Sequence, residues 1–187
     1  MANSDFYYGA YPAEYSNSLS GIFDMKMRNG NTTDFAHAVQ LGIWGFDLSS
    51  ERPINKKSGS SYLFNYRYSY SGLADKISGS DEGLNYQDLA FKINLPTKKM
   101  GTFTFWGIGL LDKIIQRPED DPKQWETSME RQEQKADFQK GAIGMAHTLS
   151  WNDNTYLRSN IGITFSGTKA ENHIYDNELN RIPVAFA

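Results

Sequence analysis

Cysteine is absent from the 187-residue sequence, which excludes disulfide bonds and thiolate chemistry. Long hydrophobic runs are absent too, and no stretch approaches the roughly 18 apolar residues of a transmembrane helix. The net charge is only −3, too small to predict a nucleic-acid partner or an acidic substrate. The first residues lack a basic segment followed by an apolar one, so we expect no signal peptide in this sequence.

Aromatic residues, in contrast, are abundant. They make up 14% of the chain, within a hydrophobic content of 39%, so rings are plentiful and aliphatic side chains are few. This balance favours strands over helices. Apolar and polar residues also alternate along much of the chain, and a period of two places them on opposite faces of a strand. Composition and periodicity together predict an all-β fold.

The clearest alternation runs from residue 60 to residue 71. One face of this predicted strand is wholly aromatic, and its residues are Tyr62, Phe64, Tyr66, Tyr68 and Tyr70. In a soluble sheet, the aromatic face would point into a core. In a transmembrane barrel, it would point to lipid and the polar face to the lumen. Tyrosine suits membrane interfaces, which favours the barrel, although this strand alone leaves both interpretations open.

Further alternating segments predict a meander of six or seven strands. They are residues 21–28, 35–43, 89–95, 103–110, 143–151 and 157–165. The connections between the strands alternate in length. Long ones begin at Gly72, Asp112 and Gly167, and short ones begin at Pro96 and Asn152. A barrel with short turns on one side and long external loops on the other has this arrangement. We therefore predict an antiparallel up-and-down meander that is part of a transmembrane β-barrel.

The segments between these strands carry weaker signals. Residues 1–20 are expected to be irregular, residues 49–59 to form a connection, and residues 112–139 to be the longest segment without a strand. Within that last segment, Asp121 followed by Pro122 is a suitable start for a short surface helix, because aspartate caps helices and proline fits their first position.

No arrangement of residues in the sequence indicates catalysis. The three histidines, His37, His147 and His173, are far apart in the sequence, so a metal site is not expected. The acidic run from Glu119 to Asp121 lacks the spacing of a calcium-binding loop and is predicted to be solvated. No Ser/His/Asp set or phosphate-binding glycine loop stands out. We predict no catalytic residue, no metal, no cofactor and no enzymatic activity.

Charged and amide side chains on the polar strand faces are candidates for a lumen surface. We expect Arg67, Asn65, Lys92 and Arg158 to face the lumen, where water or another domain reaches them. The alternative is that these side chains lie on the ordinary solvated face of an antiparallel sheet. The sequence identifies no ligand-binding residue.

The first third of the chain resembles a known family. The segment from Gly9 to Asn31 contains Pro-Ala-Glu-Tyr-Ser-Asn and then Ser-Gly, and it resembles the end of the plug domain of TonB-dependent outer-membrane receptors. It is most similar to the branch whose full-length members start with a carboxypeptidase-regulatory-like domain. Residues 49–54 resemble the Glu-Gly-Pro turn of that family. Ser16 and Arg52 depart from the pattern, because the family usually has glycine at both positions.

This resemblance implies a domain organisation and a function. Residues 1–31 would be the C-terminal end of a plug domain, and residues 32–187 would be the first strands of an outer-membrane β-barrel. Receptors of this family close about 22 strands around the plug, so we expect this sequence to be an internal piece of a receptor that imports a nutrient. The implied partners are outer-membrane lipid, an unknown nutrient ligand and the TonB complex, reached through N-terminal regions outside this sequence. No nucleic acid is expected.

Two other functions are also compatible with the strand pattern. The chain would be a small self-contained outer-membrane barrel if about eight strands closed on themselves, although the plug-like opening argues against this. It would be a soluble β-domain that binds a ligand if the aromatic face pointed into a core. Solubility without detergent would favour the soluble domain.

The segment from Gly42 to Gly45 has two interpretations. It is either a bulge within one long strand or a tight reversal between two short strands. In a receptor, the plug joins the barrel on the periplasmic side, and loop lengths place the connection at residues 49–59 on that side as well. A single strand cannot begin and end on one side, so the receptor interpretation favours the reversal.

Overall fold

The computed structural model describes residues 4–9, 12, 15, 20–70 and 83–182. These residues form strands and one short turn of 3₁₀ helix at Pro122–Gln124, which confirms the predicted all-β fold. The strands are β1 (Asp5–Tyr8), β2 (Gly21–Asp24), β3 (Ala36–Gly42), β4 (Gly45–Asn55), β5 (Ser60–Tyr70), β6 (Gly83–Pro96), β7 (Thr102–Gln116), β8 (Gln132–Asn152), β9 (Thr155–Tyr175) and β10 (Arg181–Ile182).

Strands β3 to β10 form one antiparallel sheet, in which each strand pairs with the strand that follows it in the chain. This order confirms the predicted up-and-down meander. β1 and β2 form a separate two-stranded antiparallel sheet. Within the described residues, β3 and β10 lie at the two edges of the eight-stranded sheet, which is therefore open.

The connections of this sheet lie at two opposite ends. Three short turns form the turn end, and they are residues 56–59, 97–101 and 153–154. The connections at the loop end are residues 43–44, 117–131 and 176–180. The predicted long connection at residues 72–85 lies mainly outside the described residues, but β5 ends and β6 begins at the loop end. Among the connections that are fully described, only residues 117–131 are long, and they lie at the loop end; residues 43–44 and 176–180 are no longer than the turns at the other end.

A tight reversal joins β3 to β4, as the receptor interpretation required. Gly42 pairs with Gly45, and only Ile43 and Trp44 lie between them. Gly45 has a φ of 142°, and a side chain there would place its Cβ 2.1 Å from the carbonyl oxygen of Tyr68 on β5. Glycine at this position therefore allows both the turn and the close approach of the next strand.

Strands β8 and β9 are longer than the alternation predicted. Each contains 21 residues, and β7 and β8 leave only residues 117–131 without a strand, rather than residues 112–139. The prediction of a long connection beginning at Gly167 was also wrong, because β9 continues to Tyr175 and β10 follows it.

The hydrophobic signal failed in these extensions because charged residues occupy the face that is apolar elsewhere, and the other face mixes Phe138 and alanines with polar residues. Asp137 lies opposite Lys169, and Lys135 lies opposite Glu171, on facing positions of β8 and β9. Opposite charges at facing positions stabilise a strand pair without any apolar alternation. The sequence pattern therefore marked only the half of each strand that has an apolar face.

Strand β4 occupies most of the segment predicted to be a connection. The turn is residues 56–59 rather than 49–59, so the resemblance to a family turn was misleading there. Pro53 lies past the paired part of β3, because the first residue of β3 lies opposite Glu51. The register with β5 also shifts after Pro53. Proline is tolerated at such irregular positions of a strand. Arg52 pairs with Tyr62 within the strand and needs no glycine conformation.

The N-terminal region also differs from the expectation. Residues 5–8 are not irregular but form β1, which pairs with β2 through Phe6 opposite Phe23. The strand predicted over residues 21–28 ends at Asp24, because Asp24 pairs with Asp5, the first residue of β1.

The predicted helix start is confirmed as a turn of 3₁₀ helix. The Asp121 carboxylate accepts a hydrogen bond from the backbone N–H of Lys123 at 3.0 Å. The surrounding loop is closed by its own contacts, since the Trp125 indole donates to the Glu119 carbonyl at 2.9 Å. The Glu119 N–H in turn donates to the Glu130 carbonyl at 2.7 Å, across the base of the loop.

The eight-stranded sheet is a single layer, and no hydrophobic side chain among the described residues is buried. Residues that face each other across an antiparallel pair share one face of the sheet. One face, here called the apolar face, carries the aromatic residues of β5 together with Leu48, Phe91, Phe105, Ile143 and Ile163. The opposite face is called the polar face. Leu41 is 83% exposed and Ile163 is 63% exposed, so no layer formed by the described part of the chain covers the apolar face.

Aromatic rings on this sheet lie across glycines of the neighbouring strand. A Cβ on Gly107 would lie 2.4 Å from the ring of Phe91, and a Cβ on Gly141 would lie 2.2 Å from the ring of Phe165. Each glycine is directly opposite its ring in the strand register. The rings therefore cover backbone that would otherwise be bare, which stabilises pairing in a sheet that lacks a second layer.

Two glycines at the turn end give a matched test of this register. Gly101 (φ 75°) and Gly59 (φ 71°) both adopt a left-handed conformation. A Cβ on Gly101 would meet the Thr148 carbonyl oxygen at 2.1 Å, whereas a Cβ on Gly59 meets nothing within 4 Å. We expect Gly59→Ala to cost about 1 to 2 kcal/mol, and Gly101→Ala to cost more because the backbone of β8 must shift. Urea unfolding of the full-length protein measures both, and equal losses would contradict the observed pairing of β7 with β8.

Candidate functional site on the polar face

The four side chains predicted to face a lumen all lie on the polar face. Register places Asn65 opposite Ala90 and Arg67 opposite Asp88, and Lys92 occupies the same face of β6. Arg158 shares this face, but it lies on β9, three strands away. The structure therefore brings Asn65, Arg67 and Lys92 together and leaves Arg158 apart.

A network of polar contacts spans β4, β5 and β6. The Arg67 Nε donates to the Asp88 carboxylate at 2.7 Å, and the Arg67 guanidinium lies 5.3 Å from the centre of the Tyr86 ring. The Asn65 amide donates to the Asp47 carboxylate at 3.1 Å. Acidic and basic groups alternate across the three strands, so charge on this face is largely compensated locally.

The segment after β2 lies against the polar face beside this network. The Lys92 ammonium donates to the Met27 carbonyl at 2.6 Å. The Arg28 guanidinium binds both carboxylate oxygens of Glu51 on β4, with the Nη2 to Oε1 distance at 2.8 Å. The Asn31 backbone N–H donates to the same carboxylate at 2.9 Å. Residues 27–31, here called the docked segment, are thus held by groups from two strands.

Close backbone contact completes the docking. Gly30 is buried, and a Cβ there would lie 1.9 Å from the Tyr62 carbonyl oxygen, so only glycine fits. The chain then turns towards β3, because the Asn31 side-chain oxygen accepts hydrogen bonds from the backbone N–H groups of Thr33 and Asp34, at 2.9 and 3.0 Å.

The contacts at this site attach the docked segment to the sheet. The hydrogen bonds from Arg28 to the Glu51 carboxylate raise the pKa of Arg28, which stabilises its charged form. The ion pair is bidentate, the geometry in which arginine binds a carboxylate most specifically. Within the described residues, no group of histidine and acidic side chains is placed to hold a metal ion.

The acidic partners of Asn65, Arg67 and Arg28 were not predicted from the sequence. Asp47, Asp88 and Glu51 all occupy polar positions of their strands, and their acidic character is the signal that was available. Arg28 was noted only as part of a strand that the structure ends at Asp24. Pairing requires the register between strands, and periodicity within one strand does not supply it.

Comparison of the chain with protein-family models, with curated proteins and with solved structures found no match. The described residues include no helix with the length and hydrophobicity of a membrane span.

The ion pair between Arg28 and Glu51 is testable by charge exchange. We expect Arg28→Glu to destabilise the docked segment, since it places two carboxylates together, and we expect the double change with Glu51→Arg to recover part of the loss. Hydrogen bonds to charged groups are worth about 1.5 to 3 kcal/mol, and exposure reduces this value. Because the pair is partly exposed, we expect Arg28→Ala to weaken docking by about 1 kcal/mol of free energy. Limited proteolysis at residues 25–35 of the full-length protein reports the docking.

Exchange of Arg67 and Asp88 is the matched control for that experiment. This pair lies on the same face, and no hydrogen bond or ion pair among the described residues joins it to the docked segment. Its exchange should leave proteolysis at residues 25–35 unchanged. Equal cleavage in all variants would show that the contact between Arg28 and Glu51 does not hold the segment.

Proposed function

We propose that this chain is part of a TonB-dependent outer-membrane receptor, in which the eight-stranded sheet belongs to the barrel wall and residues 1–31 end the plug. The observation that carries the proposal is the combination of a wholly uncovered apolar face with a segment docked on the opposite, polar face. A receptor barrel needs lipid on one side of its wall and a plug on the other.

The uncovered apolar face argues against a soluble domain. Water contact with apolar surface costs about 25 cal/mol for each Å², and exposed Ile161, Ile163 and Phe165 alone form a continuous stripe on β9. A soluble antiparallel sheet buries its apolar face against a second layer. Lipid covers such a face without any second protein layer.

The extent of the apolar stripe matches a membrane. On β9 it runs from Leu157 to Phe165, and Lys169 and Glu171 then occupy the same face. A transmembrane strand needs about 9 to 11 residues. The proposed receptor therefore holds the half of β9 near the turn end in the bilayer, and the remaining half extends into water towards the loop end.

The open edges of the sheet favour a wall segment over a small self-contained barrel. β3 and β10 have no partner on their outer sides within the described residues. A barrel requires every edge to be paired, since unpaired backbone groups are costly in lipid. Further strands of a longer receptor would supply these partners. The proposed activity is binding of a nutrient outside the cell and its import with energy from the inner membrane, without enzymatic chemistry.

Cysteine labelling in intact cells tests the orientation. We expect a cysteine at Glu126, in the loop-end connection, to react with a membrane-impermeant thiol reagent when placed in the full-length protein. A cysteine at Lys98 or Asp153, in turns at the opposite end, should react only after the outer membrane is opened. These 187 residues contain no natural cysteine, and any cysteine in the rest of the full-length protein is first replaced by serine. Labelling of Lys98 but not Glu126 would invert the proposed topology.

Genetic coupling tests the transport role. Cells without the full-length protein and cells without TonB should lose growth on the same limiting nutrient, found by screening a panel of nutrients. The double deletion should grow no worse than the TonB deletion, because both act in one uptake route. An additive defect on that nutrient would contradict the proposed function.

A further inference from the structure

The peptide between Lys26 and Met27 separates two differently attached parts of the chain. On one side lies the pair of strands β1 and β2, here called the hairpin unit. On the other lies the docked segment. We infer that this peptide is a pivot, about which the hairpin unit moves as a body while the docked segment stays on the sheet.

The docked segment is attached from its first residue onwards. Met27 is held through its carbonyl by Lys92, Arg28 is held by Glu51, and Gly30 is buried against the backbone of β5. Displacing this segment would break three kinds of contact at once. Each contact is made to a strand inside the eight-stranded sheet, so the anchor is rigid.

The contacts of the hairpin unit are directed inwards. The Lys26 ammonium binds the Asp5 carboxylate at 2.8 Å and the Asp24 carboxylate at 3.3 Å, so it links the hairpin's two strands. The hydrogen bond to Asp5, with a second to Asp24, raises the pKa of Lys26 and keeps it charged. The Phe6 and Phe23 rings also contact each other, with their centres 6.3 Å apart.

The two sets of contacts therefore meet at the peptide between Lys26 and Met27. Lys26 binds back to the hairpin unit, whereas the next residue binds forward to the sheet. Among the described residues, β1 and β2 pair only with each other, and Phe6 and Tyr8 on the unit are 62% and 79% exposed. A body that is stabilised internally and joined to a fixed anchor by one peptide can change its orientation without unfolding.

This inference deepens the proposed function. It rests on that function for its setting: in a receptor, the hairpin unit would change its orientation while Glu51 and Lys92 keep the end of the plug attached to the wall. Rotation at residues 26–27 would not need release of the docked segment.

Pulsed electron paramagnetic resonance on the full-length protein in lipid tests the pivot. A spin label at Lys98, in a turn of the sheet, is paired either with a label at Asn29 or with a label at Tyr8. We expect a narrow distance distribution for Asn29 and a distribution at least twice as wide for Tyr8. Equal widths for both pairs, or a wider distribution for Asn29, would overturn the inference.

Three variants test which part of the chain changes its orientation. Glu51→Gln combined with Lys92→Met should widen the Asn29 distribution, whereas Asp88→Asn, the matched change beside Arg67, should not. A disulfide between cysteines at the paired positions Phe6 and Phe23 should leave the Tyr8 distribution wide, because the unit moves intact. A narrow distribution in the disulfide variant would show that the strands separate instead, which overturns movement as a body. These distances do not depend on transport, so they and the growth experiment fail independently.

Discussion

The register between neighbouring strands is the constraint on which the rest of this structure depends. A single-layer sheet has no core to position its side chains, so hydrogen bonding between strands must do so. A shift by one residue would exchange the two faces of a strand. The observed register keeps apolar residues together from β3 to β9, aligns each aromatic ring with its glycine, and brings Arg67 opposite Asp88.

The same register aligns, across several strands, the point where apolar side chains give way to polar ones. Tyr66, at the centre of the aromatic strand, donates its hydroxyl hydrogen bond to Gln87 on β6 at 2.9 Å. Towards the loop end, the apolar face gives way to facing charges on β8 and β9. Tyrosines with an apolar ring and a bonded hydroxyl suit the level where lipid meets water. The proposed membrane position follows from this gradation along the strands.

Sequence periodicity predicted the fold well where one face of a strand is apolar. The aromatic strand and the meander were predicted from alternation. Alternation left a bulge and a reversal both open at Gly42 to Gly45, and only the resemblance to a receptor favoured the reversal. Periodicity failed for residues 132–140 and 167–175, where facing charges replace apolar residues. It placed Asn65, Arg67, Lys92 and Arg158 on one face, since face follows from counting by two along each strand.

The docking of residues 27–31 cannot be predicted from periodicity along single strands. Its contacts join residues that are far apart in the chain, such as Met27 and Lys92, and no local pattern encodes them. The need for glycine at position 30 likewise arises from the carbonyl of Tyr62, on another strand. The sequence resemblance implied a plug end next to a barrel strand, and the structure adds the groups by which residues 27–31 attach.

The central claim is that the apolar face meets lipid and the polar face does not. A cysteine scan of β9 in the full-length protein, with nitroxide labels in lipid vesicles, tests it most directly. Between Leu157 and Phe165, odd-numbered positions should collide with oxygen in the bilayer and even-numbered positions with a water-soluble nickel complex. Beyond Gly167, both sets should contact the nickel complex. Nickel access at Ile161 and Ile163 equal to that at their even-numbered neighbours would contradict the account.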